Sequence, residues 1–395
     1  MQYTDFCGEK ISRLGFGAMR LPVFPDGTVN EEETRRMVTL AMSSGVNYFD
    51  TAFPYHGGMS EVVLGKLLSE YPRDSWYLAT KYPGHQISSS YDPAGVFEEQ
   101  LVKCGVDYFD FYLLHNVCES SLPVYTDPHW GIIDYFVEQK KQGRIRHLGF
   151  SSHARPESLA SFLDAYGKYM EFCQIQLNWL DWTLQGGKEK VDLLTSRNIP
   201  IIVMEPLRGG KLAALSEEET AVLRAFRPDE TPAAWGFRFL QGIPNVHVVL
   251  SGMSAFEQMD ENIRTFSVDR PLSSEETQLL LNLAEKKKDA VPCTACRYCT
   301  EGCPMELDIP MLIAAYNDCK FSSSFTVPMQ MDALDEGKRP SACIGCGACA
   351  SICPQHIDIP AIMSDFADLL TRRPKWADIC REREEAERRR KEGLA

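Results

Sequence analysis

Eight short apolar runs alternate with helical patterns between residues 11 and about 266, and this alternation limits the fold more than any other feature of the chain. The runs are LGFGA (14–18), VNYFD (46–50), WYLATK (76–81), FDFYLLH (109–115), IRHLGFS (145–151), FCQIQL (172–177), IPIIVME (199–205) and VHVVLS (246–251). Segments such as EEETRRMVTLAMSSG, SEVVLGKLLSEY, PAGVFEEQLVKCG and IIDYFVEQKKQG lie between them. Their apolar residues recur at helical spacing, and several end in Gly, as a helix C-terminus prefers. Strands separated by helices pair in parallel. Eight such units in about 250 residues predict an α/β fold, a closed (β/α)8 TIM barrel. An open Rossmann sheet would want G-x-G-x-x-G after an early strand. Gly15-Phe16-Gly17-Ala18-Met19-Arg20 lacks the last glycine, and no clear helix follows it directly.

Residues 267–290 read as a connecting helix, and 291–362 carry an internal repeat. Cys293, Cys296, Cys299 and Cys303 recur 50 positions later as Cys343, Cys346, Cys349 and Cys353, and LDIP at 307–310 is echoed by IDIP at 357–360. Each copy is C-x2-C-x2-C-x3-C-P, the spacing of bacterial two-cluster ferredoxins, in which the fourth cysteine of one copy ligates the other copy's cluster. The Pro after the fourth cysteine keeps the chain from continuing as a helix. This assigns Cys293, Cys296, Cys299 and Cys353 to one [4Fe–4S] cluster, and Cys343, Cys346, Cys349 and Cys303 to the other. Zinc is the alternative metal, but its sites use CxxC pairs rather than triplets. The separation of the copies leaves room for helices at MLIAAYNDCKF and near MQMDALDEG, so a mainly α-helical ferredoxin-like domain is expected. The expected layout is a barrel over 1–285, a two-cluster domain over 286–370 and a charged tail over 371–395. Cys7, Cys104, Cys118, Cys173, Cys319 and Cys380 fit neither repeat and read as buried free thiols.

Function in such barrels sits at the C-terminal ends of the strands. The second run ends with Asp50 and is followed by Tyr55, the third ends with Lys81, the fourth with His115, and the fifth with Ser151 and Ser152. Singly, each of the first four has a structural explanation: a helix cap, rim packing, a solvated ammonium, a structural imidazole. Together they suit carbonyl reduction. A hydride delivered to a carbonyl carbon leaves an oxyanion that must be protonated. Tyr donates poorly at its reference pKa of about 10. A nearby ammonium stabilises the phenolate, a carboxylate fixes the ammonium, and an imidazole orients the carbonyl oxygen.

LGFGAMRLP, FDTAFPYHGGMSEVVLG, the Lys of ATK, the His of YLLH and GFSSH resemble the aldo-keto reductase family over roughly residues 10–265, and the whole chain resembles a bacterial subgroup fused to a C-terminal 4Fe–4S ferredoxin-type domain. The resemblance implies Tyr55 as general acid, tuned by Lys81 and Asp50, with His115 orienting the substrate. It implies NAD(P) as cofactor, with Ser151, Ser152 and Gln174 at the nicotinamide carboxamide. Met204, Glu205, Leu207, Gly209 and Lys211 would follow along the cofactor, and Ser251, Gly252, Gln258 and Asn262 would hold its adenosine half. Two departures stand out. Met204 replaces the aromatic ring many members stack under the nicotinamide. Gly252 and Gln258 replace the Lys and Arg that usually clamp a 2′-phosphate, so the segment does not favour NADP over NAD. Arg208 and Lys211 are the nearby cations that would have to compensate. Tyr125, Trp130, Trp179 and Trp182 are candidate pocket walls, with packing as the alternative.

The net charge of −14 argues against nucleic acid or an anionic membrane as the main partner. No run approaches a membrane span, the N-terminus has no signal pattern, and eight of fourteen cysteines cluster, so a reducing cytoplasm is expected. The substrate expected is a small carbonyl or alcohol, with a ferredoxin or flavodoxin as a possible electron partner. A nicotinamide moves two electrons and each cluster one; a flavin such as FMN bridges the two, but no flavin fingerprint occurs here. Three functions follow: an aldo-keto reductase-type enzyme whose clusters relay electrons; an NAD(P)H carbonyl reductase whose clusters are structural or redox-sensing; or an electron-transfer module on a non-catalytic barrel. The complete tetrad counts against the third and the duplicated cluster motif against the second.

Overall fold

In the computed structural model, which describes residues 1–286 and 291–372 apart from positions 87, 89, 119, 120, 185, 322–325 and 333, the chain divides into two units between Lys288 and Asp289. The charged tail and Cys380 fall outside the described residues.

The first unit begins with a hairpin, β1 (Tyr3–Phe6) and β2 (Glu9–Ser12), followed by the barrel strands β3 (Leu14–Gly17), β4 (Tyr48–Asp50), β5 (Tyr77–Tyr82), β6 (Phe109–Leu114), β7 (Ile145–Ser152), β8 (Cys173–Gln176), β9 (Ile201–Met204) and β10 (Val246–Ser251). The eight pair in parallel in chain order, and β10 closes on β3. Each grows from one of the eight apolar runs, which are buried on both faces because helices cover the outside and packed side chains fill the inside.

The hairpin does not stand out in the sequence, since its strands are short and largely polar. Its turn residues Cys7 and Gly8 both have positive φ (57° and 85°), the geometry that matches the twist of a two-residue hairpin. It carries Phe6 and Ile11 into a fully buried cluster with Tyr48, Ala79, Phe111, Phe172, Ile202 and Val248. Phe6 lies 5.4 Å from Phe111 and 5.6 Å from Phe172 and His247, which sit at the beginnings of their strands. The N-terminal mouth of the barrel is thereby closed, and the C-terminal ends of the strands are left to carry a cleft.

After the barrel, the helix Ser274–Glu285 starts at a capping box of Ser273 and Glu276. Glu276 also receives a bidentate Arg227 guanidinium, Nε–Oε1 2.6 Å and Nη2–Oε2 2.7 Å. The hydrogen bond from Arg227 leads the causes that hold the Glu276 carboxyl at about 2, below its ordinary 4.5. A depressed carboxylate stabilises the fold above its unfolded pKa and loses that contribution as pH falls through its folded one. Glu276→Gln should therefore lower the thermal midpoint by a few degrees at pH 7, with the gap from wild type closing between about pH 4.5 and 2. Melting curves that stay parallel down to pH 2 would remove the pair from the stability account.

The regular elements among the second unit's described residues are all helices, joined by coil and turns, and the unit repeats itself. Helices Ile309–Phe321 and Ile359–Thr371 begin 50 positions apart, each just after an Asp whose carboxylate accepts a first-turn N–H: Asp308 from Met311 at 3.3 Å, Asp358 from Ala361 at 3.2 Å. Glu306 and His356, also 50 apart, share a left-handed backbone (φ 49° and 51°), and their N–H groups donate to Cys303 and Cys353 carbonyls at 2.9 and 3.0 Å. The duplicated motif thus folds as a duplicated turn and helix. Among the described residues, no helix is long and apolar enough to cross a membrane.

Candidate active site and iron–sulfur centres

At the C-terminal mouth, β4 ends in Asp50, β5 carries Lys81, and His115 directly follows β6. Lys81 is fully buried, and its Nζ donates to Asp50 Oδ1 and to the Thr51 carbonyl, both at 2.6 Å. Burial lowers the Lys81 ammonium from its ordinary value, while the adjacent carboxylate opposes that shift. Tyr55 opens a 3-10 turn, Tyr55–Gly58, that His56, Gly57 and Gly58 bend with φ of 52°, 62° and 87°. The turn brings the Tyr55 ring over Lys81, with Nζ 5.1 Å from the ring centroid. His115 meets the same ring edge-on, at 5.8 Å and 82°. Burial first, then His85, Lys81 and His153, hold the His115 imidazole well below its ordinary value, so it is neutral at neutral pH. Among the described residues, Asp50 Oδ2 and His115 Nδ1 are buried without hydrogen-bond partners, the kind of exception that clusters at functional sites.

Ser151 and Gln174 are paired in register across β7 and β8. The Ser151 hydroxyl oxygen accepts the Asn116 N–H at 2.8 Å and keeps its own proton to donate. Gln174 Oε1 is buried and unpartnered. A nicotinamide carboxamide, with one acceptor and two donor hydrogens, fits these groups. Ser152 braces the loop: its hydroxyl donates to the Val117 carbonyl at 2.8 Å and accepts the Ala154 N–H at 3.1 Å.

Beyond β9 the chain turns sharply through Glu205, Arg208, Gly209 and Gly210, all with positive φ. Asn178 Nδ2 holds the Glu205 carbonyl at 3.1 Å, and Met204 Sδ accepts from Gln174 Nε2 at 3.7 Å. Leu207 is half-buried and packs close to Gly236, Gly209 is exposed, and Lys211 is half-buried. Arg208 is 2% exposed and faces the buried Asp181 carboxylate at 3.3 Å, which takes it away from any 2′-phosphate on the surface. At the end of β10, Asn262 donates to Ser251 Oγ at 3.1 Å and Gln258 Oε1 accepts the Ser254 N–H at 2.9 Å. Of the aromatic candidates for pocket walls, Tyr125 and Trp179 are core residues, each 1% exposed, whereas Trp130 and Trp182 are partly exposed.

In the second unit two cavities separate the eight motif cysteines. One is lined by Cys293, Cys296, Cys299 and Cys353. The other is lined by Cys343, Cys346, Cys349 and Cys303. Each cavity thus takes three thiols from one copy and the fourth from the other. Burial, with Cys293, Cys353 and Cys349 adding, pushes the Cys299 thiol up to about 12, so forming that thiolate needs a cation beside the sulfur. Four soft ligands around a cavity of this kind fit an iron–sulfur cluster.

The profile of the Aldo/keto reductase family matches residues 13–285. The chain belongs to the aldo/keto reductase family. The profile of the 4Fe-4S dicluster domain matches residues 292–357, so this aldo/keto reductase carries an iron–sulfur domain after its barrel. It is 27% identical to the uncharacterized oxidoreductase YqkF of Bacillus subtilis over 68% of this chain and 92% of that one. It is 28% identical to a probable aldo-keto reductase 1 of Glycine max, over 51% of this chain and only 58% of that protein's length. The structure of aldo-keto reductase AKR11C1 from Bacillus halodurans, holo form, superposes with a TM-score of 0.59 at 26% identity, over 72% of this chain and 96% of that one.

Two residues of the reductase site escaped sequence reasoning. Asn116 has a left-handed backbone (φ 53°) and a buried, unpartnered Oδ1 beside Ser151. An Asn two residues past a strand, a residue type that tolerates the left-handed region, is the one sequence signal, and a faint one. His85 lies with its ring 4.4 Å from that of His115 and bonds to the His115 backbone, while Tyr125 donates to the His115 carbonyl at 2.6 Å. Nothing in the KYPGHQ segment distinguishes this imidazole from a loop residue. Beneath the site, Gln100 donates to the Lys81 carbonyl at 3.1 Å and to Glu61 at 2.7 Å, a buried network that holds β5 in place.

Proposed function

We propose that the barrel catalyses NAD(P)-linked interconversion of a carbonyl compound and its alcohol, with Tyr55 as the general acid, and that the second unit holds two [4Fe–4S] clusters coupled to that chemistry. The observation that carries the first part is the buried Lys81, bound by Asp50 and the Thr51 carbonyl, beneath a half-buried Tyr55 and opposite a neutral His115.

The nicotinamide, when bound, supplies the hydride, and the clusters supply one-electron capacity. Ser151, Gln174 and Asn116 hold and orient the carboxamide. Tyr55 gives its phenolic proton to the carbonyl oxygen as that oxygen gains charge. Lys81 stabilises the phenolate left behind, and Asp50 keeps the ammonium in place. His115, neutral, donates a ring N–H to the same oxygen and fixes its direction. Hydride on carbon and proton on oxygen complete the alcohol. Cys293, Cys296, Cys299 and Cys353 hold one cluster, and Cys343, Cys346, Cys349 and Cys303 the other.

A second reading, in which the clusters only staple the domain, is favoured by one observation. Cys293, Cys299 and Cys349 belong to the small unit's own hydrophobic core, with Leu312, Ile359 and Phe366, so ligation would contribute folding energy there. Anaerobic protein separates the two. Iron and sulfide are measured per chain, NADH or NADPH is added, and the visible cluster absorption is followed. Bleaching is the expected result. Full aldehyde reduction with no bleaching selects the staple, and colourless, iron-free protein ends the cluster assignment.

A further inference from the structure

The two cysteine cavities of the second unit are built from equivalent positions of the repeat, and their walls differ in one direction. Most lining positions 50 apart keep their character: Leu307 answers Ile357, and Ile309 answers Ile359. Backbone donors are matched as well. The Leu307 N–H donates to Cys303 Sγ at 3.5 Å, and the Ile357 backbone bonds to Cys353. Three positions break the symmetry. Thr294, Arg297 and Gln355 line the cavity of Cys293, Cys296, Cys299 and Cys353, whereas Ile344, Gly347 and Met305 stand at the equivalent places in the other. Among the described residues, every polar side chain other than cysteine therefore lines one cavity, and the second cavity has none.

Thr294 is the informative one of the three. It is 1% exposed, and among the described residues its Oγ is buried without a hydrogen-bond partner. A buried hydroxyl left unpaired is costly, and the sulfurs that share its cavity are acceptors for its proton. Gln355 is buried beside it, with amide hydrogens to offer. Arg297 counts for less, because it is largely exposed and pairs with Asp308 at 3.2 Å, so water and the carboxylate screen its charge. An added electron makes a cluster and its thiolates more negative. A donor fixed beside the sulfurs stabilises that state more than the oxidised one and raises the potential. Cys346, the one exposed motif cysteine, gives the other set water instead. Water must reorient to meet new charge, whereas a buried hydroxyl is already in place and acts in a lower dielectric. We propose that Thr294, supported by Gln355, donates a hydrogen bond to the cluster held by Cys293, Cys296, Cys299 and Cys353, and that this cluster has the higher potential and is the first reduced by a low-potential one-electron donor. One-electron transfer inside the unit then runs from the Ile344 side to the Thr294 side, one cluster losing the electron that the other gains. This rests on the reading above that the second unit holds two [4Fe–4S] clusters.

The test titrates full-length anaerobic protein with dithionite and redox mediators, follows the reduced clusters by electron paramagnetic resonance, and measures iron and sulfide per chain. Wild type is expected to show two one-electron waves. Thr294→Val keeps the side-chain shape and removes the donor. It should lower the upper wave by about tenfold in the reduction equilibrium constant, about 59 mV for one electron, and leave the lower wave in place. Thr294→Ser returns the hydroxyl and should restore most of the shift. Gln355→Met gives the first cavity the residue of the second and should move the same wave in the same direction, which keeps the proposal testable if the Val variant loses iron. A shift confined to the lower wave reverses the order of the clusters and overturns the proposal. Unmoved waves in the iron-loaded variants overturn it too, as does a wild-type titration with a single wave. Wild-type protein with no iron, or with only about four per chain, instead sinks the two-cluster reading itself.

Discussion

Tyr55→Phe is expected to lower carbonyl turnover by about 10²–10⁴-fold, the usual worth of a positioned general acid, and to leave iron and sulfide content unchanged. The substitution keeps the ring that contacts His115 and sits over Lys81, so the loss reports the missing proton and not a collapsed site. Turnover is followed with a small aldehyde and NADPH, and metal content by colorimetric assay on the same sample. Lys81→Met gives a control of another kind. It strips from the buried Asp50 its one side-chain hydrogen-bond partner among the described residues, so lost turnover is accompanied by lost stability. Wild-type rates from the Phe variant would mean that another group delivers the proton, and His115 or the neighbouring His85 would be the next to test.

Cys353→Ala should remove one of the two proposed clusters, whose other proposed ligands, Cys293, Cys296 and Cys299, lie 54 to 60 residues away in the chain. Iron should fall from about eight to about four per chain. Adding Cys293→Ala to it costs no further iron, because both thiols line one cavity, whereas adding Cys346→Ala takes the remainder. Cys303→Ala behaves as the mirror image. If Cys353→Ala instead behaved as one group with Cys343, Cys346 and Cys349, each copy would bind its own cluster and the crossed arrangement would be wrong.

Much of the fold is visible in the chain because barrel strands carry a strong local signal. All eight apolar runs become strands, since nearly every residue in them is buried on one face or the other. The hairpin β1–β2 carries little such signal. Its two inward residues, Phe6 and Ile11, acquire meaning only under Phe111 and Phe172. The tetrad and the cysteine repeat were readable for the same reason as the strands, because chemically costly residues at fixed short offsets from recognisable elements are rarely neutral. Individual assignments around them were less secure. Ser152 looks as available as Ser151 in sequence, yet its hydroxyl is taken up by Val117 and Ala154. Arg208 looks like a free cation and is buried against Asp181.

What the amino-acid order determined by itself was everything set by periodicity and near spacing: a parallel barrel, four strand-end groups suited to proton and hydride chemistry, and two sets of soft ligands. What tertiary structure alone decided was which of those groups still has a hydrogen-bonding site or a charge to offer. Arg20 and Gly252 are 232 positions apart and meet only because β10 closes on β3. A side chain's local signal says what it is able to do, but its partners are supplied by ring closure, and a group already satisfied by a distant backbone has nothing left for a ligand.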